Sequence, residues 1–236
     1  MANGFGAQQT WNASSSEATR VSAFLQRVYG WMFVGLAITA VVALAIASSP
    51  GLMQTLVGNP ILYIGLIVVE LGLVIYLSAR VAEMTPSTAA TLFAAYSALN
   101  GVTLSVILLR YTGTSVATAF ISTAGMFGAL AVYGTITKRS LAGVGQFAIM
   151  GLIGVIIASV VGFFWHSSML QFVISIAGVI VFTGLSVYDA QRMRQMALSG
   201  DGPGMGSYAI VGALALYLDF INLFLMLLRL FGGRRQ

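Results

Sequence analysis

Cysteine is absent from this 236-residue chain, and charge is nearly so, with Asp, Glu, Lys and Arg together making up 7% of it. The first absence excludes disulfide frameworks, thiolate metal sites and cysteine nucleophiles. The second excludes an ordinary water-soluble domain, whose surface needs roughly a quarter charged residues. Lysine and histidine occur once each, as Lys138 and His166. A retinal-type pump needs a Schiff-base lysine in its last helix, and Lys138 lies in a loop, so that class is excluded too. His166 reads as an interfacial loop side chain rather than a ligand or a switch. What fills the chain instead is hydrophobic residue, 58% of the total. The solvent of such a chain is lipid. The net charge of +5 is scattered between apolar runs, which marks topology and not a nucleic-acid patch.

A helix needs about 20 apolar residues to cross the hydrocarbon core. Seven stretches qualify, roughly 29–48, 61–79, 88–109, 114–136, 144–165, 169–190 and 207–231. The fold expected is an all-α membrane protein of seven transmembrane helices. Residues 1–19 are rich in Ala, Asn, Gln, Ser and Thr and lack the apolar core of a signal peptide. They read as a disordered cytoplasmic tail, and 20–236 as one membrane domain. Ser87 or Thr88 is a plausible N-cap of the third span, and Gly200–Gly204 is the clearest flexible loop.

Basic residues set the orientation. Arg20, Arg27, Arg80, Lys138, Arg139, Arg192 and Arg194 fall on one side, and Arg110 alone falls in the opposite loops. That bias places the N-terminus in the cytoplasm. Arg229, Arg234 and Arg235 follow the seventh span against the bias, so the last helix either crosses or re-enters, and the early loops favour crossing. Trp31, Tyr63, Tyr111 and Trp165 lie near span ends, as in an aromatic belt. Gly154, Ala158 and Gly162 form a small-residue ridge suited to close helix packing.

Charged groups at mid-membrane cost about 2.5–3.5 kcal/mol on insertion scales and usually mark function. Glu70 lies near the middle of span two, Asp219 about 18 Å into span seven, and Asp189 at the cytoplasmic end of span six. Spans six and seven are antiparallel neighbours, and their spacing permits an Asp189–Asp219 pair without requiring it. Two carboxyls in contact in low dielectric cannot both ionise, so such a pair titrates as a unit. Gly212, Asp219, Asn222, Met226 and Arg229 share one face of span seven, and Tyr96, Ser97, Asn100 and Thr103 share one of span three. Asn100 and Asn222 are thereby pathway-lining candidates. Arg80 and Arg229 are the nearest cations to the buried acids by sequence.

The runs Gly184-Leu-Ser-Val-Tyr-Asp-Ala-Gln191 and Ala215-Leu-Tyr-Leu-Asp-Phe-Ile-Asn-Leu-Phe224, the latter continuing through Arg229, resemble signatures of the Bax inhibitor-1 family. Val28–Met32 and Thr123–Gly128 resemble its bacterial inner-membrane branch. The resemblance covers the chain from about Arg20 onward. It implies seven helices with the last one central and wrapped by the other six. It also implies a pH-sensitive calcium leak channel with a di-aspartyl pair, here Asp189 and Asp219, at which calcium could bind transiently without a resident metal site. Arg80 and Arg229 match the family's gating arginines, and Glu70 its helix-two acid. Some relatives are described as binding a membrane-bound ATP-dependent protease, which makes a non-channel regulator the alternative. No cofactor is implied. An intramembrane aspartyl protease is rejected, because Leu216-Tyr-Leu-Asp219 stands where Gly-x-Gly-Asp is needed and no Pro-Ala-Leu follows.

Overall fold

In a computed structural model, the backbone is described for residues 3–165, 167–199 and 204–233, and side chains from Glu17 onward with Phe163 excepted. His166, the loop residues 200–203 and the tail arginines Arg234 and Arg235 lie outside the described residues. The described chain is helical without strands: α1 (Asn3–Ala47), α2 (Pro50–Gly58), α3 (Pro60–Arg80), a 3₁₀ turn (Val81–Glu83), α4 (Pro86–Leu108), α5 (Gly113–Ile136), α6 (Ala142–Phe164), α7 (Ser168–Ser199) and α8 (Met205–Phe231). All but α2 and the 3₁₀ turn are long and apolar enough to cross a membrane, seven in all. Residues 3–19, expected to be disordered, continue α1 toward the N-terminus. No proline interrupts that stretch, and extending a helix costs far less than nucleating one.

Helix starts follow local chemistry. Proline opens α3 and α4, where its missing N–H costs nothing. Asn59 caps α3 by accepting from the Leu62 N–H at 3.1 Å. The cap of α4 is Thr85, accepting from the Thr88 N–H at 3.2 Å, and not Ser87 or Thr88 as the sequence suggests. With Pro86 at the first helical position, the residue before it is held extended and becomes the cap. Helix α7 runs to Ser199, well past the predicted end near 190, because Gln191–Ser199 contains neither glycine nor proline.

Helix α8 is the most buried span: 72% of its apolar window is enclosed, against 44% or less in the others. It packs on α1, α4, α5 and α7, while α3 joins the bundle through α4 and α6 through α7. Enclosure by all six other spans, which the family resemblance implies, is therefore not what the contacts show. The outward faces of α3, α5, α6 and α7 carry exposed Ile, Leu, Val and Phe, as a lipid boundary requires. Trp165 is exposed on that boundary, but Tyr111 is buried and Tyr63 turns inward to donate to the Thr103 carbonyl at 3.3 Å. The aromatic belt is thinner than the sequence suggests.

The α8 helix runs unbroken along the length of the bundle, as a crossing helix would. Its 27 residues span about 40 Å. Its end is fastened beside the α4–α5 loop, where the Thr112 N–H donates to the Gly233 carbonyl at 3.1 Å and the Gly233 N–H donates to Ser115 Oγ at 2.9 Å. At its start the Ser207 hydroxyl donates to the Met84 carbonyl, on the opposite side, at 2.7 Å.

Glycines admit the closest approaches. A Cβ on Gly101 would lie 2.7 Å from the Thr39 carbonyl oxygen, and one on Gly134 would strike the Val187 carbonyl oxygen and sit 2.9 Å from Ala190 Cβ. Of the anticipated ridge, Gly162 packs against α7, where a Cβ would lie 3.1 Å from Gln171, but Gly154 has open space around it; the α6–α7 contact also uses Gly145 against Tyr188 and Gly151 against Val181.

Candidate functional site

The α7–α8 contact is antiparallel, with Met193 lying on Gly212 at one end and Met226 on Gly178 at the other. Between these points the carboxyls of Asp189 and Asp219 lie within hydrogen-bonding reach, although that register leaves their backbones about three to four residues out of level. Asp219 is 4% exposed. Its Oδ2 atom is buried with no hydrogen-bond partner among the described residues. A hydrogen bond between two carboxyls needs a proton on one of them, since ionised carboxylates only accept. The arrangement therefore fits a single proton shared by the pair. Asp189 is half-buried at the open edge. The cation that acts on it is Arg192, one turn further along α7 and exposed. The i, i+3 spacing of Asp189 and Arg192 on one helix is the sequence signal for this contact.

Gln191 supports this corner. Its Oε1 accepts from the Leu141 N–H at 2.8 Å, and its Nε2 donates to the Arg139 carbonyl at 2.8 Å. The α5–α6 connection is thus tied to α7 two residues from Asp189. Gly134 brings α5 against α7 at the same level.

A second polar cluster lies on the other face of α8. Tyr217, fully buried, has its hydroxyl 2.6 Å from Thr39 Oγ1 and donates to Asn100 Oδ1 at 3.1 Å. The Thr103 hydroxyl donates to Glu70 Oε1 at 2.9 Å, and the Asn100 amide is also within reach of Glu70. Sequence reading identified Asn100, Thr103 and Glu70 but missed Thr39 and Tyr217, whose hydroxyls look ordinary in apolar runs.

The chain from residue 21 to 236 matches the model of the family described as "Inhibitor of apoptosis-promoting Bax1". The chain belongs to the Bax inhibitor family. It is 48% identical over 215 residues to Inner membrane protein YbhL of Escherichia coli (strain K12), covering 90% of this chain and 92% of that one. An uncharacterised protein of Borreliella burgdorferi is 44% identical over 90% of this chain and 93% of its own, and one of Deinococcus radiodurans is 40% identical over 96% and 97%. Together with seven apolar helices, these relatives make the chain an inner-membrane member of the family.

Of the residues that membership brings forward, only the two aspartates meet. Arg80 pairs with Glu83 at the exposed α3–α4 turn. Arg229 is exposed near the opposite end of α8, and neither arginine is paired with a buried acid among the described residues. Glu70 is held by Thr103 rather than by a cation. Asn222 folds its amide back onto the Leu218 carbonyl at 2.8 Å, an intrahelical bond that leaves less of it for a pathway. In this family member the Asp189–Asp219 pair combines burial, contact and titratable chemistry.

Proposed function

We propose that this protein is a pH-sensitive cation leak channel of the inner membrane, calcium being the cation, gated at the proton shared by Asp189 and Asp219. The observation that carries the reading is the meeting of two carboxyls between the most buried helix and its neighbour. With one proton on the pair, α7 and α8 are joined by a carboxyl–carboxyl hydrogen bond. Without it, two like charges face each other in low dielectric, a state relieved only by separation or by a cation between them. Oxygen donors suit a hard cation such as calcium. Protonation thus exchanges attraction for repulsion at one helix contact. The basic-residue bias supports a cytoplasmic N-terminus, which puts Asp189 toward the cytoplasmic end of the pathway.

Calcium flux into proteoliposomes, measured from about pH 6 to 8, is expected to change steeply with pH, because a coupled carboxyl pair titrates as a unit. In Asp219→Asn the flux should lose that dependence. Unaltered pH-dependent flux in Asp219→Asn would sink the proposal. A second reading, a regulator that binds a membrane-bound protease, draws on a cleft of about 740 Å³ between Glu17, Ser22 and Gln26 of α1 and Arg194 of α7. Loss of a crosslinked partner on deleting residues 1–19, with flux intact, would favour it.

A further inference from the structure

Glu70 is used by neither reading, yet it is 9% exposed on a helix whose only other buried residue is Leu77. Every hydroxyl between it and α1 has one proton and two acceptors. Thr103 Oγ1 lies 2.9 Å from Glu70 Oε1 and 3.0 Å from its own helix carbonyl at Asn100. The Tyr217 hydroxyl lies 3.1 Å from Asn100 Oδ1 and 2.6 Å from Thr39 Oγ1. Thr39 Oγ1 has the alternative of the Ser97 carbonyl at 2.8 Å. An array with twice as many acceptors as protons has two complete solutions, and the charge on Glu70 selects between them.

With Glu70 ionised, Thr103 and the Asn100 amide donate to it. Asn100 Oδ1 then accepts from Tyr217, and Tyr217 accepts from Thr39. With one proton added, the Glu70 hydroxyl donates to Asn100 Oδ1 after the amide turns over. The amide nitrogen then donates to Tyr217, Tyr217 to Thr39, and Thr39 to the Ser97 carbonyl, while Thr103 returns to its own helix. Each state gives every hydroxyl proton an acceptor, and the two differ by one proton taken from or returned to solvent. We propose that Glu70 is a second, exchangeable proton-binding site, whose occupancy reverses the direction of the Glu70–Asn100–Tyr217–Thr39 hydrogen-bond chain.

The titratable groups around it fit this role. Tyr63 on α3, Tyr96 on α4 and Tyr217 on α8 act on or are acted on by Glu70, and Arg110 acts on Tyr63. None of the three tyrosines supplies a fixed positive charge, and no basic side chain is in salt-bridge contact with Glu70 among the described residues. Among the described residues, no paired cation holds the acid in its ionised state. Phe93 and Tyr96 hold the Tyr217 ring edge-on at 5.7 and 5.9 Å, so the hydroxyl stays in place while its proton reorients.

Infrared difference spectra taken between acid and neutral pH test this without any reference to ion flux. In the Asp189→Asn/Asp219→Asn double variant, a protonated-carboxyl band from a buried group should still appear on acidification. It should vanish on adding Glu70→Gln, and it should move when Tyr217→Phe or Thr39→Val removes a link. Glutamate labelled with ¹³C in the unsubstituted protein reads the same band if a variant fails to fold, because Glu17 and Glu83 are exposed and Glu70 alone is buried. Absence of a titrating buried glutamate band overturns the proposal. So does a Glu70 band that is identical with and without the Tyr217 hydroxyl, which would leave an isolated acid and no chain.

Discussion

Replacing Gly134 by alanine adds one carbon where α5 touches α7, and the structure fixes what that carbon meets. It would overlap the Val187 carbonyl oxygen, with Ala190 Cβ at 2.9 Å and Val187 C at 3.2 Å. Non-bonded carbons are comfortable at about 3.5–4.0 Å, so α7 must retreat by roughly 0.5–1 Å at this turn. All three atoms are backbone or Cβ, and none can swing aside as the end of a long side chain would. Overpacking of this kind costs about 1–3 kcal/mol. The displaced turn carries Asp189, so the shift also loosens its contact with Asp219. Thermal unfolding in detergent should show Gly134→Ala less stable, with a midpoint several degrees lower at the 2–4 °C per kcal/mol expected of a chain this long. Gly125→Ala on the same helix is the control, because its Cβ would meet nothing within 4 Å and alanine is favoured over glycine in helices by up to about 1 kcal/mol. Equal midpoints for the two variants would refute the packing argument. A destabilised Gly134→Ala with unaltered pH dependence of flux would separate packing from gating.

Other substitutions follow from the same contacts. Gln191→Ala removes two hydrogen bonds that hold the Arg139–Leu141 connection; a loss of about 1–3 kcal/mol and faster amide exchange at Leu141 are expected. Tyr217→Phe deletes a buried hydroxyl and strands Asn100 Oδ1 or Thr39 Oγ1, costing about 1–3 kcal/mol in denaturation, and Thr39→Val combined with it should cost less than the two alone added together. Arg80→Gln breaks only the exposed pair with Glu83, so its midpoint should stay within about 1 kcal/mol of the parent; a large loss would show that Arg80 has a buried role.

The spans were legible because lipid demands long apolar runs and leaves few alternatives. Asp219 was legible for the same reason, since any acid so deep must be enclosed. Its pairing with Asp189 was not forced by spacing: with Met193 on Gly212 and Met226 on Gly178 the two aspartates stay about three to four residues out of level, and their carboxyls come within reach through helix packing and side-chain length. Glycine shows the limit most clearly. Gly125 and Gly134 lie in one helix with similar neighbours in sequence, yet one faces open space and the other a carbonyl oxygen. Pattern gives the residue and cannot give its opposite number. The last helix shows a different limit. Arg229 and the tail contradict the charge bias, which records a statistical preference of insertion, whereas the Gly233–Ser115 and Ser207–Met84 bonds fasten the two ends of α8 to loops at opposite ends of the bundle.

Thr39 and Tyr217 were invisible for a further reason. A hydroxyl in a membrane helix normally satisfies itself on its own backbone, as Ser186 does on the Phe182 carbonyl at 2.7 Å and Thr123 on Ala119 at 2.7 Å. A hydroxyl that instead reaches another helix has the same sequence neighbourhood. What distinguishes Tyr217 is that it cannot bond its own helix, its hydroxyl being carried past the neighbouring backbone by the ring. A buried tyrosine on the most enclosed span must therefore find a partner elsewhere. That condition could have been stated from the sequence once Asp219 had marked α8 as enclosed, and it would have pointed across the bundle to the polar stripe of α4.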